Sequence, residues 1–241
     1  MKNTQKKIRK FEAFGVVIIL LLTVFSVKIS KENNPFNNEN TCLLDNISLG
    51  IKEVFKSNNN NLILVNRENS VSSTYEPDDL VIPNISLRTA EDMCEYVRAE
   101  VASALESMFN DAQKDGIYLV GISGYRSFQY QQTVYDRNIE TEGIETTSKY
   151  VAVPGTSEHQ TGLVMDILSN DYSSLDEGFE NTEAFKWLSE NMSNYGFILR
   201  YPKGKEAVTG YSYEPWHLRY VGVDAAKEIN GNGLTLEEYL N

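Results

Sequence analysis

His159 and Asp166 stand seven residues apart in the stretch PGTSEHQTGLVMDI, which runs from Pro154 to Ile167. On one straight strand that odd separation would point the two side chains to opposite faces. A turn between them removes the conflict, and HQTG supplies one, because Gly162 adopts a positive φ at no steric cost. The residues GLVMDI then alternate: Val164 and Asp166 share one face, while Leu163, Met165 and Ile167 share the other. The segment therefore reads as a turn feeding a strand whose apolar side packs in a core. The only other histidine in the chain, His217, lies in YEPWHLRYVG, three residues after Glu214.

The surrounding texture is that of a mixed domain. Thr89 to Asp115 reads as a helix: Met93, Val97, Val101, Leu105, Met108 and Ala112 recur at steps of three and four. Thr89 with Asp92 approximates a capping box at its start, and Gly116 stands just past its end. LILV (Leu62–Val65) and IYLVGIS (Ile117–Ser123) read as buried strands. SFQYQQTVYDRNIE (Ser127–Glu140) and Thr182–Gly196 read as two further helices, the latter stopped by Gly196. FILRY and the segment around EPWHLRYV are rich in β-formers. Helices and strands come mixed with hairpin-scale gaps, which predicts an α+β fold with an antiparallel sheet and flanking helices over residues 62–241.

The formal charge of −12 is unevenly placed. Residues 1–31 hold seven Lys/Arg and one Glu, so the rest of the chain carries about −18. A body this acidic lacks the clustered Lys/Arg that phosphate contacts need, which excludes nucleic acid as a partner. No protein partner is inferred. The N-terminus is different. Lys2, Lys6, Lys7, Arg9 and Lys10 precede an uncharged stretch, Ala13 to Val27, that Ile29 extends. A basic segment (1–12) followed by an apolar one (13–29) fits a signal-anchor, with its basic end in the cytoplasm. No A-x-A-like cleavage site follows, so a single-pass anchor in the cell membrane is expected, with the remainder outside the cell. Cleavage of the segment would make the protein secreted. Residues 30–61 are polar and asparagine-rich and read as a stalk, interrupted by a short helix at Asp45–Lys56. An exported chain permits a disulfide, but Cys42 falls on the stalk and Cys94 on the first helix, and no bridge is expected.

Imidazole and carboxylate are natural ligands of a catalytic zinc, which uses three protein ligands and keeps a fourth position for water. His159, Asp166 and His217 offer such a set. Glu214 fits a different role, as a base beside the metal, with Pro215 limiting the backbone and Trp216 offering an apolar wall. The alternatives are plain: each histidine is a packed or surface residue, Asp166 a turn or capping residue, and the H-x6-D and E-x-x-H spacings accidental. No P-loop or dinucleotide-binding glycine pattern is present, and neither cysteine has the context of a nucleophile.

SEHQTGLVMD together with EPWHLRYVG resembles the S-x-H-x-x-G-x-x-x-D and E-x-W-H signatures of the vancomycin-resistance type of zinc D,D-carboxypeptidase, relatives of the L,D-carboxypeptidases of peptidoglycan metabolism. LILVNRENSV, YEPDDL, SGYRSFQYQQ and WLSENMSNYGFILRYPKGKEAVTGY look like family segments in the family's order, so the likeness covers about Leu62 to Gly222. The resemblance implies an α+β fold of the D,D-peptidase/hedgehog type and one Zn2+ per chain, bound by His159, Asp166 and His217. It makes Glu214 the catalytic base and Arg126 the group that steadies the developing oxyanion. Ser157 matches a position that contacts the substrate's terminal carboxylate, and Gln131 a position in the substrate pocket. Many relatives carry an aromatic residue where this chain has Thr156, which leaves the shape of the pocket open. The implied substrate is a peptidoglycan pentapeptide stem ending in D-Ala-D-Ala, the terminus that glycopeptide antibiotics bind. An L,D-carboxypeptidase acting on tetrapeptide stems is the alternative with the same chemistry. A silent wall-binding module, or a purely structural zinc site, is the alternative of another class.

Overall fold

The structure, a computed structural model, describes residues 60–88 and 92–241. The basic segment, the apolar segment 13–29, nearly all of the stalk with its short helix, Cys42 and Thr89 lie outside the described residues. Among the described residues no helix is long and apolar enough to cross a membrane.

Two short strands come first, β1 (Leu80–Val81) and β2 (Val97–Arg98), paired antiparallel with Val81 opposite Val97. Helix α1 (Ala99–Lys114) follows directly. The main sheet is built from β3 (Leu119–Ser123), β4 (Val164–Ser169), β5 (Phe197–Leu199) and β6 (His217–Tyr220). Its order is β3-β4-β6-β5, and every neighbouring pair is antiparallel. Between β3 and β4 lie α2 (Phe128–Glu142) and α3 (Ile144–Tyr150); α4 (Glu183–Asn191) precedes β5. The chain closes with α5 (Glu206–Thr209) before β6, then α6 (Val223–Asn232) and α7 (Leu236–Leu240). The expected class, α+β around an antiparallel sheet, is the observed one.

The alternation expected in β4 sets the two faces of the sheet. Met165 and Ile167 pack with Leu218, Tyr220 and Phe197 against Leu105, Met108 and Ala112 of α1 and Leu188 of α4, all buried. Burial of that apolar surface, at about 25 cal/mol per Å2, is the main force holding helices to sheet. Asp166 and His217 belong to the opposite face, and they are direct partners across the β4–β6 ladder. Ser123 pairs with Asp166 on the other side, after a register shift between Gly121 and Ser123. Ser123, Asp166 and His217 thus form one row across three strands.

Two expectations fail for the same kind of reason. The first helix begins at Ala99, not at Thr89, because Val97 and Arg98 are extended and pair with β1. Arg98 N–H donates to Gly162 O, and Ala99 N–H to Asp79 O. These long-range bonds outcompete a helical pattern that continues through the same residues. A 3-10 turn, Asp92–Glu95, stands where the helix start was expected, and Cys94 is buried with no disulfide among the described residues. LILV is no strand either. Residues Asn60–Leu62 form a 3-10 turn, and the carbonyls of Asn61 and Ile63 accept from Arg219 Nη2 at 2.9 and 2.8 Å. A buried guanidinium takes the place of a strand partner.

Other local signals hold. Ser127 caps α2, its side chain accepting from Tyr130 N–H, and Thr182 caps α4 in the same way through Phe185 N–H. The stretch to Gly196 divides into α4 and a 3-10 turn, Met192–Tyr195, before Gly196 stops it at φ 85°. Gly162 follows the 3-10 turn Glu158–Thr161 with φ 67°. A Cβ added there would lie 3.0 Å from both Arg98 Cγ and Leu80 Cδ2. Gly162→Ala is therefore expected to destabilise the fold by at least about 1–2 kcal/mol, the cost of a left-handed L-residue. Urea unfolding of the purified variant checks the value, and unchanged stability contradicts the turn's role.

Candidate active site

Each of the three proposed donors sits on a different kind of support. Asp166 and His217 are held by the ladder of β4 and β6. His159 lies in the 3-10 turn just before Gly162, and its Nδ1 is 2.7 Å from Gly124 O. A carbonyl only accepts, so Nδ1 carries the proton and Nε2 is left with its lone pair. Gly124 makes that contact possible by packing its backbone against the 94–96 segment: a Cβ at 124 would run into the carbonyl of Tyr96.

His159, Asp166 and His217 are all buried, and their donor atoms lie within 4.8 Å of one another. His159 Nε2 is 3.5 Å from Asp166 Oδ2, and His217 Nδ1 is 3.3 Å from Asp166 Oδ1. Tetrahedral ligands with bonds of about 2.0–2.2 Å are separated by about 3.3–3.6 Å. The two imidazoles meet edge to face, with centroids 5.0 Å apart. Asp166 Oδ1 is buried without a hydrogen bond among the described residues. A buried carboxylate oxygen left in this way, with imidazole nitrogens gathered around it, is the signature expected of a site that holds a cation. The residues fit a metal.

Glu214 is brought to the same place by the turn that precedes β6. Its Oε2 is 3.5 Å from His217 Nδ1, and its carboxyl makes no hydrogen bond with the described residues. Burial pushes this carboxyl up to about 8, the Asp166 charge adding to a shift that His217, Arg126 and Arg200 only partly offset. Asp166 is the reverse case. Burial alone would raise it, but His159, His217 and Arg126 hold it down to about 2. Burial, with Arg126 beside it, lowers His159 to about 3 despite the pull of Asp166. Burial also works against protonated His217, yet Asp166 and Glu158 carry it up to about 9.

Arg126 donates from Nε to Ser123 Oγ at 2.9 Å and from Nη2 to Asp166 Oδ2 at 3.1 Å. It therefore clamps one end of the strand row, and Nη1 makes no hydrogen bond to the described residues. Arg126, Gln131, Ser157, Glu214, Trp216 and the three donors all line one cavity of about 690 Å3. Gln131 Nε2 donates to Ala152 O at 2.8 Å, while its Oε1 is buried without a partner among the described residues. Thr156, the departure noted above, donates to Val153 O. Every sequence-proposed site residue thus comes to this cavity or its wall. Three buried residues that sequence reasoning passed over also belong here: Glu158, which lines the same cavity, and Arg200 and Arg219, which stand behind it and hold its carboxylate. In the sequence each is a single charged residue, Glu158 in SEHQ, Arg200 in ILRY and Arg219 in HLRY, with nothing local to show that the three meet.

Three donors, an open cavity and a buried acid beside them define a mononuclear metal site of the hydrolytic kind. The chain belongs to the VanY family of D-alanyl-D-alanine carboxypeptidases, whose pattern matches residues 94–223. It is 45% identical over 224 residues to the putative carboxypeptidase YodJ of Bacillus subtilis, a match covering 90% of this chain and 80% of that protein. Among solved structures it resembles the LdcB LD-carboxypeptidase, with a TM-score of 0.70 and 48% identity over 76% of this chain and 86% of that one. It also resembles VanY from a VanB-type resistance cassette, solved in complex with Zn(II), with a TM-score of 0.64 and 38% identity over 76% of this chain and 99% of that one.

The titrations predict a pH signature. Glu214 and His217 both bind protons more tightly in the fold than in the unfolded chain. Their contributions are therefore complete at low pH and are lost as pH rises towards 8 and 9. Metal-free protein should melt at progressively lower temperature from pH 6.5 to 9, where the opposing His159 shift has run its course. Metal binding displaces these protons, so the gap between metal-loaded and metal-free melting temperatures should widen over that range. Calorimetry with and without chelator measures both, and a constant gap contradicts the assignment.

Proposed function

We propose that this chain is a zinc-dependent D,D-carboxypeptidase that removes the terminal D-alanine from peptidoglycan pentapeptide stems. The observation that carries the reading is Glu214: a buried carboxyl within 3.5 Å of a nitrogen of the donor set and facing the cavity. A purely structural metal site has no use for such a group and closes with a fourth protein ligand. That consideration also weighs against a silent wall-binding module.

His159 Nε2, an oxygen of Asp166 and His217 Nδ1 would hold the ion. Zinc, when bound, supplies a Lewis acid and brings water into the range where it is a nucleophile near neutral pH. Glu214 takes the proton from the attacking water as its oxygen bonds to the carbonyl carbon of the last amide. The same carboxyl then gives that proton to the amine as the C–N bond breaks and D-alanine leaves. Arg126 Nη1 is left to steady the carbonyl oxygen as it gains charge, while Nε and Nη2 keep the guanidinium fixed. Ser157 offers a hydroxyl donor to the terminal carboxylate, and the unpartnered Gln131 Oε1 an acceptor for a peptide N–H. The N-terminal basic and apolar segments would hold the catalytic domain at the outer face of the cell membrane. Loss of the last D-alanine destroys the terminus that glycopeptide antibiotics bind, which makes a contribution to vancomycin resistance part of this reading.

The higher identity to LdcB than to VanY favours a second reading, an L,D-carboxypeptidase trimming tetrapeptide stems. Zinc-loaded protein given pentapeptide and tetrapeptide separates the two. D-alanine release from pentapeptide at a higher kcat/KM supports D,D activity, and the opposite preference establishes the L,D reading. No chelator-sensitive release from either peptide contradicts both. Glu214→Ala should retain zinc and lose about 100- to 10,000-fold in kcat; full turnover in that variant removes Glu214 from the mechanism.

A further inference from the structure

Glu158 lies next to one donor and behind another, and no step above uses it. Its Oε1 accepts from Arg200 Nε at 2.8 Å and from Arg219 Nη1. Both arginines are completely buried, and each has further partners. Arg200 makes a bidentate pair with Glu237 of α7, and Arg219 donates to the carbonyls of Asn61, Ile63 and Tyr220. The Glu158 carboxylate is therefore fixed in position by groups that are themselves fixed. Its other oxygen, Oε2, lies 3.8 Å from His217 Nε2, and both atoms are buried without a hydrogen bond among the described residues. These two atoms complement each other chemically and stand a few tenths of an ångström beyond bonding distance.

The opposite nitrogen of the same ring, Nδ1, is the one that faces Asp166 Oδ1 at 3.3 Å. A neutral imidazole carries one proton, on Nδ1 or on Nε2. Only with the proton on Nε2 does Nδ1 keep a lone pair for a metal. Tyr201 packs on the ring, with centroids 4.8 Å apart, but an aromatic face does not choose between the nitrogens.

We propose that Glu158 is the positioning residue of His217: its arginine-pinned carboxylate holds the proton on Nε2 and so turns Nδ1, with its lone pair, towards the ion. Carboxylate partners of this kind set both the tautomer and the orientation of a ligating histidine. The inference rests on reading His217 as a metal ligand. Glu237 provides an internal control, because it neutralises Arg200 without touching His217.

Competition with a chelator of known affinity, at fixed pH, measures zinc binding by the full chain and its variants. An amide has a single acceptor oxygen and cannot serve the arginines and His217 together, so Glu158→Gln should weaken zinc binding about 10- to 100-fold. Glu237→Gln should lower the melting temperature of metal-free protein yet keep wild-type zinc affinity. Unchanged affinity in Glu158→Gln, or equal losses in both variants, overturns the proposal. If Glu158→Gln does not fold, Glu158→Asp decides. It keeps a charge for the arginines while withdrawing the carboxylate from His217, so weakened binding supports the role and wild-type binding overturns it. His217→Ala is measured alongside. Wild-type affinity there would remove the metal-ligand reading itself, not the role of Glu158 within it.

Discussion

Asp166 and His217 face one another across the β4–β6 ladder, and that register fixes most of what the site can be. A slip of one residue would turn Asp166 into the core and bring Met165 or Ile167 to the cavity, since strand side chains alternate strictly. The apolar side of β4, packed against α1 and α4, resists such a slip by burying Met165 and Ile167 completely. Core packing on one face thus sets the donor geometry on the other. The row continues to Ser123 of β3, where Arg126 is tied, so the group proposed to meet the substrate is indexed to the same strands as the metal donors.

The charge arrangement follows from that frame. Asp166 gathers His159, His217 and Arg126 around one buried carboxylate, which keeps it ionised despite burial. Around Glu214 the charges of His217, Arg126 and Arg200 offset burial only in part, and the Asp166 charge adds to it, so it stays high. On the reading proposed above, environment and not residue type divides these two acidic side chains into a ligand and a proton carrier.

The sequence made some of this legible and concealed the rest, and distance along the chain explains which. The alternation of GLVMDI and the turn at Gly162 are local, so the strand and its two faces could be read directly. The helices expected from Ser127 and Thr182 do start there, because each side chain accepts from an N–H three residues on, an equally local contact. The start of α1 was hidden because Val97 and Arg98 suit a helix but are claimed by β1 and Gly162. LILV reads as a strand because the partner it has instead, Arg219, which donates to the carbonyls of Asn61 and Ile63, lies more than 150 residues away. Glu158, Arg200 and Arg219 were passed over for the same reason. A charged residue in SEHQ or LRYPK looks like solvent-facing polarity until the fold closes three of them into one dry cluster. The metal donors escaped that fate through their resemblance to family motifs, with spacing alone too weak to carry them.

In the site proposed for this chain, one ion is held by two imidazoles and one carboxylate, with no sulfur. X-ray absorption at the zinc edge of the purified, zinc-loaded protein tests it most directly. One zinc per chain is expected, in a shell of nitrogen and oxygen at about 2.0–2.2 Å with the outer-shell pattern of two imidazoles. A sulfur shell at about 2.3 Å, a single imidazole, or failure to retain zinc at all would contradict it.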